Sequence, residues 1–515
     1  MQQPLLPDIL TLHADWRGSR PALVTAAETI DWRTFGAHIN QVANGLLAAG
    51  CGEGARIGVV MRNGAAMAEV MFAAMKAGAI VAPLNTSVTD EAIDAMLSDA
   101  DVAAIFVTPE HQGRISPSIL GRSKLRVLSD GEADADWKCY AAWRGAQSEA
   151  DPGVALKADA ICNIIYSSGT TGQPKGIAHT HIGRLDWAHD LAHALRYHSG
   201  ARLLIATGLY SNITWAGMLP TFMLGGALVI HEGFDPPRIF DAMNRALVTH
   251  TSMVPVQFQR LLEHPDFAAC DRGAMQAMMC CGAPLPAHVK QALFDNFPCG
   301  VIELYGSTEG IITTLAPEEA KGRMSSVGKP LPGEDITILD NENRPAPQGE
   351  TGEIVALSRF AMQGYWNNPQ ATEEAFWTDA KGRRWLRSGD IGRIDEAGYL
   401  HITDRKKDMI ISGGQNIYPA DLEAVLMQHE HVFDCAVFGV PSERWGETPL
   451  ALVVLREPAA VGAEALRDWA NAQLGKQQRI ASIELRPSLP RNANGKLLKR
   501  ELRAPYWEQR AGCKA

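Results

Sequence analysis

Tyr166-Ser-Ser-Gly-Thr-Thr-Gly-Gln-Pro-Lys-Gly176 is the stretch on which the reading of this chain turns. Ile161, Ile164, Ile165 and Tyr166 have the character of a buried strand. After them come serines, threonines and glycines with one lysine and no acidic residue. Glycines let backbone N–H groups approach phosphate oxygens, hydroxyls donate further hydrogen bonds, and Lys175 adds a positive charge. A Walker loop ends in Gly-Lys-Ser/Thr, whereas the order here is Gly172-Gln-Pro-Lys175-Gly176. The segment therefore points to a nucleotide triphosphate held by a different architecture. The bland alternative is a surface turn of small polar residues. The preceding strand and the lysine both favour the phosphate site.

Working outward, 515 residues are too many for one core and call for at least two domains. An apolar share of 46% with 21% charged residues is that of a globular protein. A net charge of −10 argues against nucleic acid as a main partner. Nine scattered cysteines without a Cys-x-x-Cys pair suit a reduced cytoplasmic protein rather than a disulfide scaffold. The N-terminus has no positive region followed by an apolar core, so no signal peptide is expected. The apolar stretch 67–84 is interrupted by Glu69 and Lys76, and 221–230 is too short for a bilayer, so no integral membrane segment is expected.

Helical and strand patterns alternate from residue 30 to 110 and again from 202 to 294, which predicts an α/β fold with largely parallel sheets. Phe35, Ile39, Val42, Leu46 and Leu47 mark a helix over 32–49. Strands are expected at 56–61, 80–83, 102–107, 202–207 and 227–230, and helices at 65–77, 90–97, 215–223, 236–246 and 287–294. Segments 335–339 and 352–357 read as strands of a smaller β unit. After the charged knot Asp404-Arg-Lys-Lys-Asp408 the chain reads as a small α+β module, with a helix from 420 to 428 behind Pro419. The expected division is an N-terminal domain 1–403 and a C-terminal domain 404–515.

Four further segments carry chemistry. In Glu303-Leu-Tyr-Gly-Ser-Thr-Glu-Gly310, Tyr305 offers an aromatic face to a purine, Thr308 a hydroxyl to phosphate, and Glu309 a hard oxygen to Mg²⁺. The others are Trp385-Leu-Arg-Ser-Gly-Asp390, Asp404 through Gly413-Gly414 to Pro419, and Leu489-Pro-Arg-Asn-Ala-Asn-Gly-Lys496. Taken singly they read as a polar turn, a turn aspartate and a solvated lysine. His179 and His181 are read as ordinary loop or helix-end histidines, since no third ligand stands in register.

In this order and spacing the five segments resemble the adenylate-forming superfamily of acyl-CoA synthetases, peptide-synthetase adenylation domains and firefly-type luciferases. The resemblance runs over roughly residues 25–505. The C-terminal segment is most similar to aryl-CoA and chlorobenzoate-type ligases. The resemblance implies a large N-terminal AMP-binding domain of α/β subdomains plus a β unit, and a small mobile α+β C-terminal domain hinged near Lys407. It implies ATP, Mg²⁺ and coenzyme A. Ser167, Ser168, Gly169, Thr170, Thr171, Gly172 and Lys175 would grip the β- and γ-phosphates. Gly282, Ala283 and Pro284 would line the adenine pocket with Tyr305, Gly306 and Ser307. Thr308 and Glu309 would serve phosphate and metal, Asp390 the ribose with help from Arg405, and Lys496 the attacking carboxylate and α-phosphate. Gly413, Gly414 and Trp445 would face the thiol and its nucleotide end.

The segment Tyr210-Ser-Asn-Ile-Thr-Trp215 lacks the aspartate that amino-acid-activating members carry, and Ser211 stands where related ligases often have histidine or an aromatic residue. The implied acid pocket is Trp215, Met218, Gly282, Leu304, Gly306, Ile311 and Ile312, with no Arg or Lys for a second carboxylate. A dicarboxylate would bury its distal charge unpaired. The expected substrate is therefore a hydrophobic monocarboxylic acid, aromatic or medium-chain, converted through an acyl-adenylate to acyl-CoA. The alternative acceptor is an acyl carrier protein. A homodimer is the assembly the reading admits.

Overall fold

The computed structural model describes residues 3–132, 134–167, 175–245, 247–413, 415–456, 461–475, 478–491 and 497–512. Two mixed sheets with parallel centres organise its first part. The eight-stranded sheet runs Gly364–Tyr365, Lys175–Thr180, Ile161–Ser167, Ile80–Pro83, Arg56–Val60, Ala104–Val107, Leu125–Leu128, Lys138–Cys139. The nine-stranded sheet runs Lys329–Pro330, Ile312–Leu315, Ile302–Gly306, Ala277–Cys280, His250–Met253, Arg202–Ile205, Ala227–Ile230, Pro21–Val24, Thr29–Asp31. The strands Ile80–Pro83 and Ala104–Val107 are buried at every residue, as parallel strands covered on both faces must be. One apolar cluster containing Ile57, Phe72, Leu203, Ile205, Trp215 and Leu304 joins the two sheets.

Local rules explain the regular helices. Asp31 caps Trp32–Ala48 by accepting the Thr34 N–H at 2.8 Å, and Trp32, Phe35, Ile39, Val42 and Leu46 form its buried stripe. The helix Ala65–Lys76 is buried almost all round, charges included. Glu69 there accepts from Tyr140 at 2.6 Å and Arg144 at 2.8 Å, and Lys76 pairs with Asp151 at 2.8 Å. Both charges are thus compensated inside an apolar-looking segment.

Three elements escape the periodicity. They are the helix Leu6–Trp16, the strand Lys175–Thr180 that returns antiparallel beside Ile161–Ser167, and the helix His181–Ala194. The last buries His181, Arg184 and Asp190 along with Leu185, Trp187 and Leu191, so its inner face is not an apolar stripe. The helix Asn212–Met223 also begins nearly a turn before its expected start at 215.

By compactness the chain forms two units, Met1–Asp335 with Ala356–Leu386, and Ile336–Val355 with Arg387–Ala515. The strand Arg384–Ile394 pairs with Leu400–Arg405, placing Asp390 opposite Arg405, so residues 387–403 pack with the chain that follows. The second unit also holds a sheet ordered Gln415–Ile417, Ile410–Ser412, Gly446–Leu455, Val432–Ser442, with Ser482–Leu485 parallel to Gly446–Leu455. The helices Pro419–Leu426 and Ala463–Gln473 close its core of Ile410, Leu422, Val437 and Leu466. No helix among the described residues is long and apolar enough to cross a membrane.

Candidate active site

Ser167 and Lys175 stand opposite each other in the register of two antiparallel strands, so the segment between them connects strand to strand rather than strand to helix. Ser168, Gly169, Thr170, Thr171 and Gly172 lie outside the described residues. Gly176 follows Lys175, and a Cβ there would meet Ile164 Cγ2 at 2.9 Å and Trp366 Cβ at 3.1 Å. Only glycine lets the Trp366 N–H donate to the Gly176 carbonyl at 2.7 Å.

That return strand is tied to the second motif. Lys175 Nζ lies 4.9 Å from the ring centroid of Tyr365. The Tyr365 hydroxyl donates to Glu309 Oε1 at 2.9 Å. Burial, followed by the Glu309 charge, raises the tyrosine well above its ordinary value and keeps it a neutral donor. His179 Nε2 donates to the Thr308 carbonyl at 2.9 Å, and burial holds this imidazole neutral. His179 is therefore a buried strand residue bracing the Thr308–Glu309 turn, a correction to its reading as an ordinary loop histidine. The Met362 N–H donates to the Glu309 carbonyl at 2.7 Å.

A carboxylate offers about four acceptor positions, and Tyr365 uses one at Glu309. Among the described residues no group of three His, Cys, Asp or Glu could cage a metal. One carboxylate beside nucleotide phosphates suits Mg²⁺, which keeps most of its shell in water and phosphate oxygens.

Tyr305 stands at the end of the strand Ile302–Gly306, and Gly282-Ala283-Pro284 follows the neighbouring parallel strand Ala277–Cys280, with Cys280 opposite Glu303. Both therefore sit at carboxyl ends of the sheet, where α/β folds take ligands. Gly282 has φ +92°, and a Cβ there would meet Ile213 Cδ1 at 2.8 Å. The start of the helix Asn212–Met223 is thereby pressed against Gly282.

In the expected acid pocket, Trp215 is fully buried and donates its indole N–H to the Leu209 carbonyl at 2.8 Å. Leu304, Ile311 and Ile312 are buried. The Ile312 N–H donates to Glu334 Oε2 at 2.8 Å, and burial pushes that carboxyl well above its usual range. A cation packs against the Trp215 ring. The Arg184 guanidinium carbon lies 4.8 Å from the Trp215 ring centroid, and its Nη1 donates to Asn212 Oδ1 at 2.9 Å.

The second unit arranges its own residues. Arg405 Nε forms an ion pair with Asp390 Oδ1 at 2.9 Å, and Asp390 is buried. Asp404 Oδ2 accepts the Ala420 N–H at 2.8 Å, capping the helix Pro419–Leu426. Lys406 and Arg387 both bind Glu353, at 2.9 and 2.5 Å. Lys407 takes no part in that cluster, and partial burial lowers its amine below the ordinary value. Gly413 has φ +56°, donates to the Trp445 carbonyl at 2.8 Å, and would bring a Cβ within 2.9 Å of the Trp445 ring. Trp445 is 48% exposed under the Arg444 guanidinium, 4.6 Å from its ring centroid. Gly414 and Lys496 lie outside the described residues.

Comparison with known proteins accords with this geometry. The family model described as AMP-binding enzyme matches residues 11–366, and that of the AMP-binding enzyme C-terminal domain matches 421–496. A feruloyl-CoA synthase of an Amycolatopsis species is 35% identical, covering 91% of this chain and 92% of its own. The ATP-bound structure of MatB from Rhodopseudomonas palustris superposes with TM-score 0.88 at 27% identity, over 98% of this chain and 99% of that one. The anthranilate CoA ligase AuaEII in complex with anthranoyl-AMP superposes with TM-score 0.87 at 25% identity, over 98% and 97%. The chain belongs to the AMP-binding enzyme family, and it is an AMP-forming acid–thiol ligase that uses ATP and coenzyme A, with Mg²⁺ as the usual ion.

Proposed function

We propose that this ligase activates an aromatic monocarboxylic acid. The observation that carries the reading is the Trp215 indole, fully buried in the same apolar cluster as Leu304 and Ile312. A flat ring gains from an aromatic wall beyond the area it buries. The ferulate and anthranilate in the names of two relatives agree with it.

In the first half-reaction a carboxylate oxygen of the acid attacks the α-phosphorus of ATP, the bond to the β-phosphate bridge breaks, and pyrophosphate leaves. Ser167 and Lys175, with Ser168, Gly169, Thr170, Thr171 and Gly172, hold the leaving pyrophosphate. Thr308 donates its hydroxyl to phosphate, and Tyr305, Gly306, Ser307, Gly282, Ala283 and Pro284 enclose the base. Glu309 would hold Mg²⁺, which would supply positive charge to neutralise the phosphates. Asp390 accepts from the ribose diol, with its orientation fixed by Arg405. Lys496 acts on the α-phosphoryl oxygens as charge develops there, which is stabilisation specific to the transition state. In the second half-reaction the CoA sulfur attacks the acyl carbonyl carbon, the bond to AMP breaks, and AMP leaves. The smaller domain, 404–515, turns about Lys407 between the two steps. Gly413 and Gly414 admit the pantetheine arm, and Trp445 receives the nucleotide end of CoA.

We read the enzyme further as cytoplasmic, on its scattered cysteines, and as a homodimer, which light scattering on purified protein will test. The substrate reading is tested by pyrophosphate release with benzoate, cinnamate and octanoate, with and without CoA. An aromatic acid should exceed octanoate in kcat/KM by about tenfold or more. Preference for octanoate overturns it.

A further inference from the structure

Arg184 is buried, with 2% exposure, on the helix His181–Ala194. Its Nε donates to Asn163 Oδ1 and its Nη1 to Asn212 Oδ1, each at 2.9 Å. The rings of Trp187 and Trp215 lie 4.9 and 4.8 Å from the guanidinium carbon. Among the described residues no carboxylate pairs with it, and Nη2 has no hydrogen-bond partner. Burial lowers the guanidinium to about 9, so it is still a cation at pH 7.

Two other buried polar atoms on the same two elements also lack a hydrogen-bond partner. His181 Nδ1 lies one turn back on the same helix face, and Ser211 Oγ belongs to the residue before Asn212. Burial lowers His181 to about 4, so it is neutral. The Arg184 contacts to Asn212 and Trp215 fall in the first turn of the helix Asn212–Met223, the turn that presses Ile213 against Gly282. A buried cation facing only neutral oxygens is incompletely compensated, and an unmade hydrogen bond to it costs more than one to a neutral group. An incoming oxygen would remove that cost.

We infer that Arg184, assisted by Ser211, is a specificity-determining residue that reads an oxygen acceptor on the end of the acid distal to the reacting carboxylate. Nη2–H donates and a hydroxyl, ether or carboxylate oxygen of the substrate accepts. The inference rests on the aromatic reading above for the scaffold of the acid, though not for its oxygen.

The test compares kcat/KM for two pairs of acids, cinnamate with 4-hydroxycinnamate and octanoate with 8-hydroxyoctanoate, in the wild type, Arg184→Met and Arg184→Lys. The wild type should favour the oxygenated member by about 100-fold, because a site built to hydrogen-bond rejects the analogue that leaves it unpaired. Arg184→Met should bring the ratio to within about threefold by loss on the oxygenated acid, with Arg184→Lys between. KM for ATP should stay unchanged. Equal losses on both members would mark Arg184 as purely structural and overturn the inference. So would a wild-type ratio near one, which needs no variant to fold. Should Arg184→Met fail to fold, Arg184→Lys carries the comparison. Turnover of the aliphatic pair alone would refute the aromatic reading, while the ratio within that pair would still judge Arg184.

Discussion

Tyr365 donates its hydroxyl to Glu309 at 2.9 Å while its ring lies 4.9 Å from Lys175 Nζ. One side chain thus couples the lysine of the phosphate segment to the carboxylate assigned to the metal. A hydrogen bond to a charged acceptor contributes about 1.5–3 kcal/mol, and a cation over an aromatic ring about 0.5–2 kcal/mol. Both charges are held in place before nucleotide arrives, which is the preorganisation that phosphoryl transfer exploits.

Tyr365→Phe keeps the ring under Lys175 and removes only the bond to Glu309. It should lower kcat/KM for ATP by about tenfold and raise the Mg²⁺ concentration needed for half-maximal rate. Tyr365→Ala should cost about 100-fold, since the ring contact is lost as well. A Mg²⁺ titration of pyrophosphate release checks both, and an unchanged Mg²⁺ requirement in Tyr365→Phe would sever the coupling.

Gly413 should matter to the second half-reaction alone. A valine there would hold φ +56° at a strain of about 1–2 kcal/mol and drive its Cβ into Trp445. Gly413→Val should leave acid-dependent pyrophosphate release near wild type and slow acyl-CoA formation by about tenfold or more. Measuring the two products separately distinguishes this from a general loss of activity.

Acid should destabilise the first unit through buried histidines. Burial lowers His181 and His250 to about 4 from an ordinary 6.5. A depressed folded value means that below 6.5 the unfolded chain binds the proton more readily. The stability these groups contribute is full above pH 6.5 and is lost as pH falls toward 4, by roughly 3 kcal/mol each at most. The Tm should drop over that window, and His181→Leu should reduce the drop by removing one titration. An identical drop in the variant would exclude His181.

Lys496→Ala should abolish adenylation and spare thioester formation from supplied acyl-adenylate, because the lysine is assigned only to the α-phosphate step. Both rates are read with synthetic acyl-AMP and with free acid. Equal loss of the two would contradict the assignment.

How far the sequence was legible follows from what each signal depends on. The helix Trp32–Ala48 announces itself through a stripe at helical spacing, and Ile80–Pro83 through a short apolar run between breakers. The pair Asp390–Arg405 was reachable because each residue lies in a motif of its own. Tyr365 was not. It stands 56 residues from Glu309 and reaches it because Gly364–Tyr365 pairs with the return strand Lys175–Thr180, itself unseen in the pattern. Arg184 was missed because a buried helix that packs cations and carboxylates inward has no apolar period to read. The sequence therefore shows no cation near Trp215. That residues 387–403 pack with the chain after them was hidden as well, since strand pairing sets which segments pack together.

The central claim is that the enzyme makes an acyl-adenylate and then a thioester. Enzyme mixed with ATP, Mg²⁺ and 4-hydroxycinnamate without CoA should release pyrophosphate and retain acyl-AMP in proportion to active sites. Addition of CoA should convert it to acyl-CoA and AMP within a single turnover. Formation of ADP and phosphate, or acyl-CoA with no intervening acyl-AMP, would contradict the account.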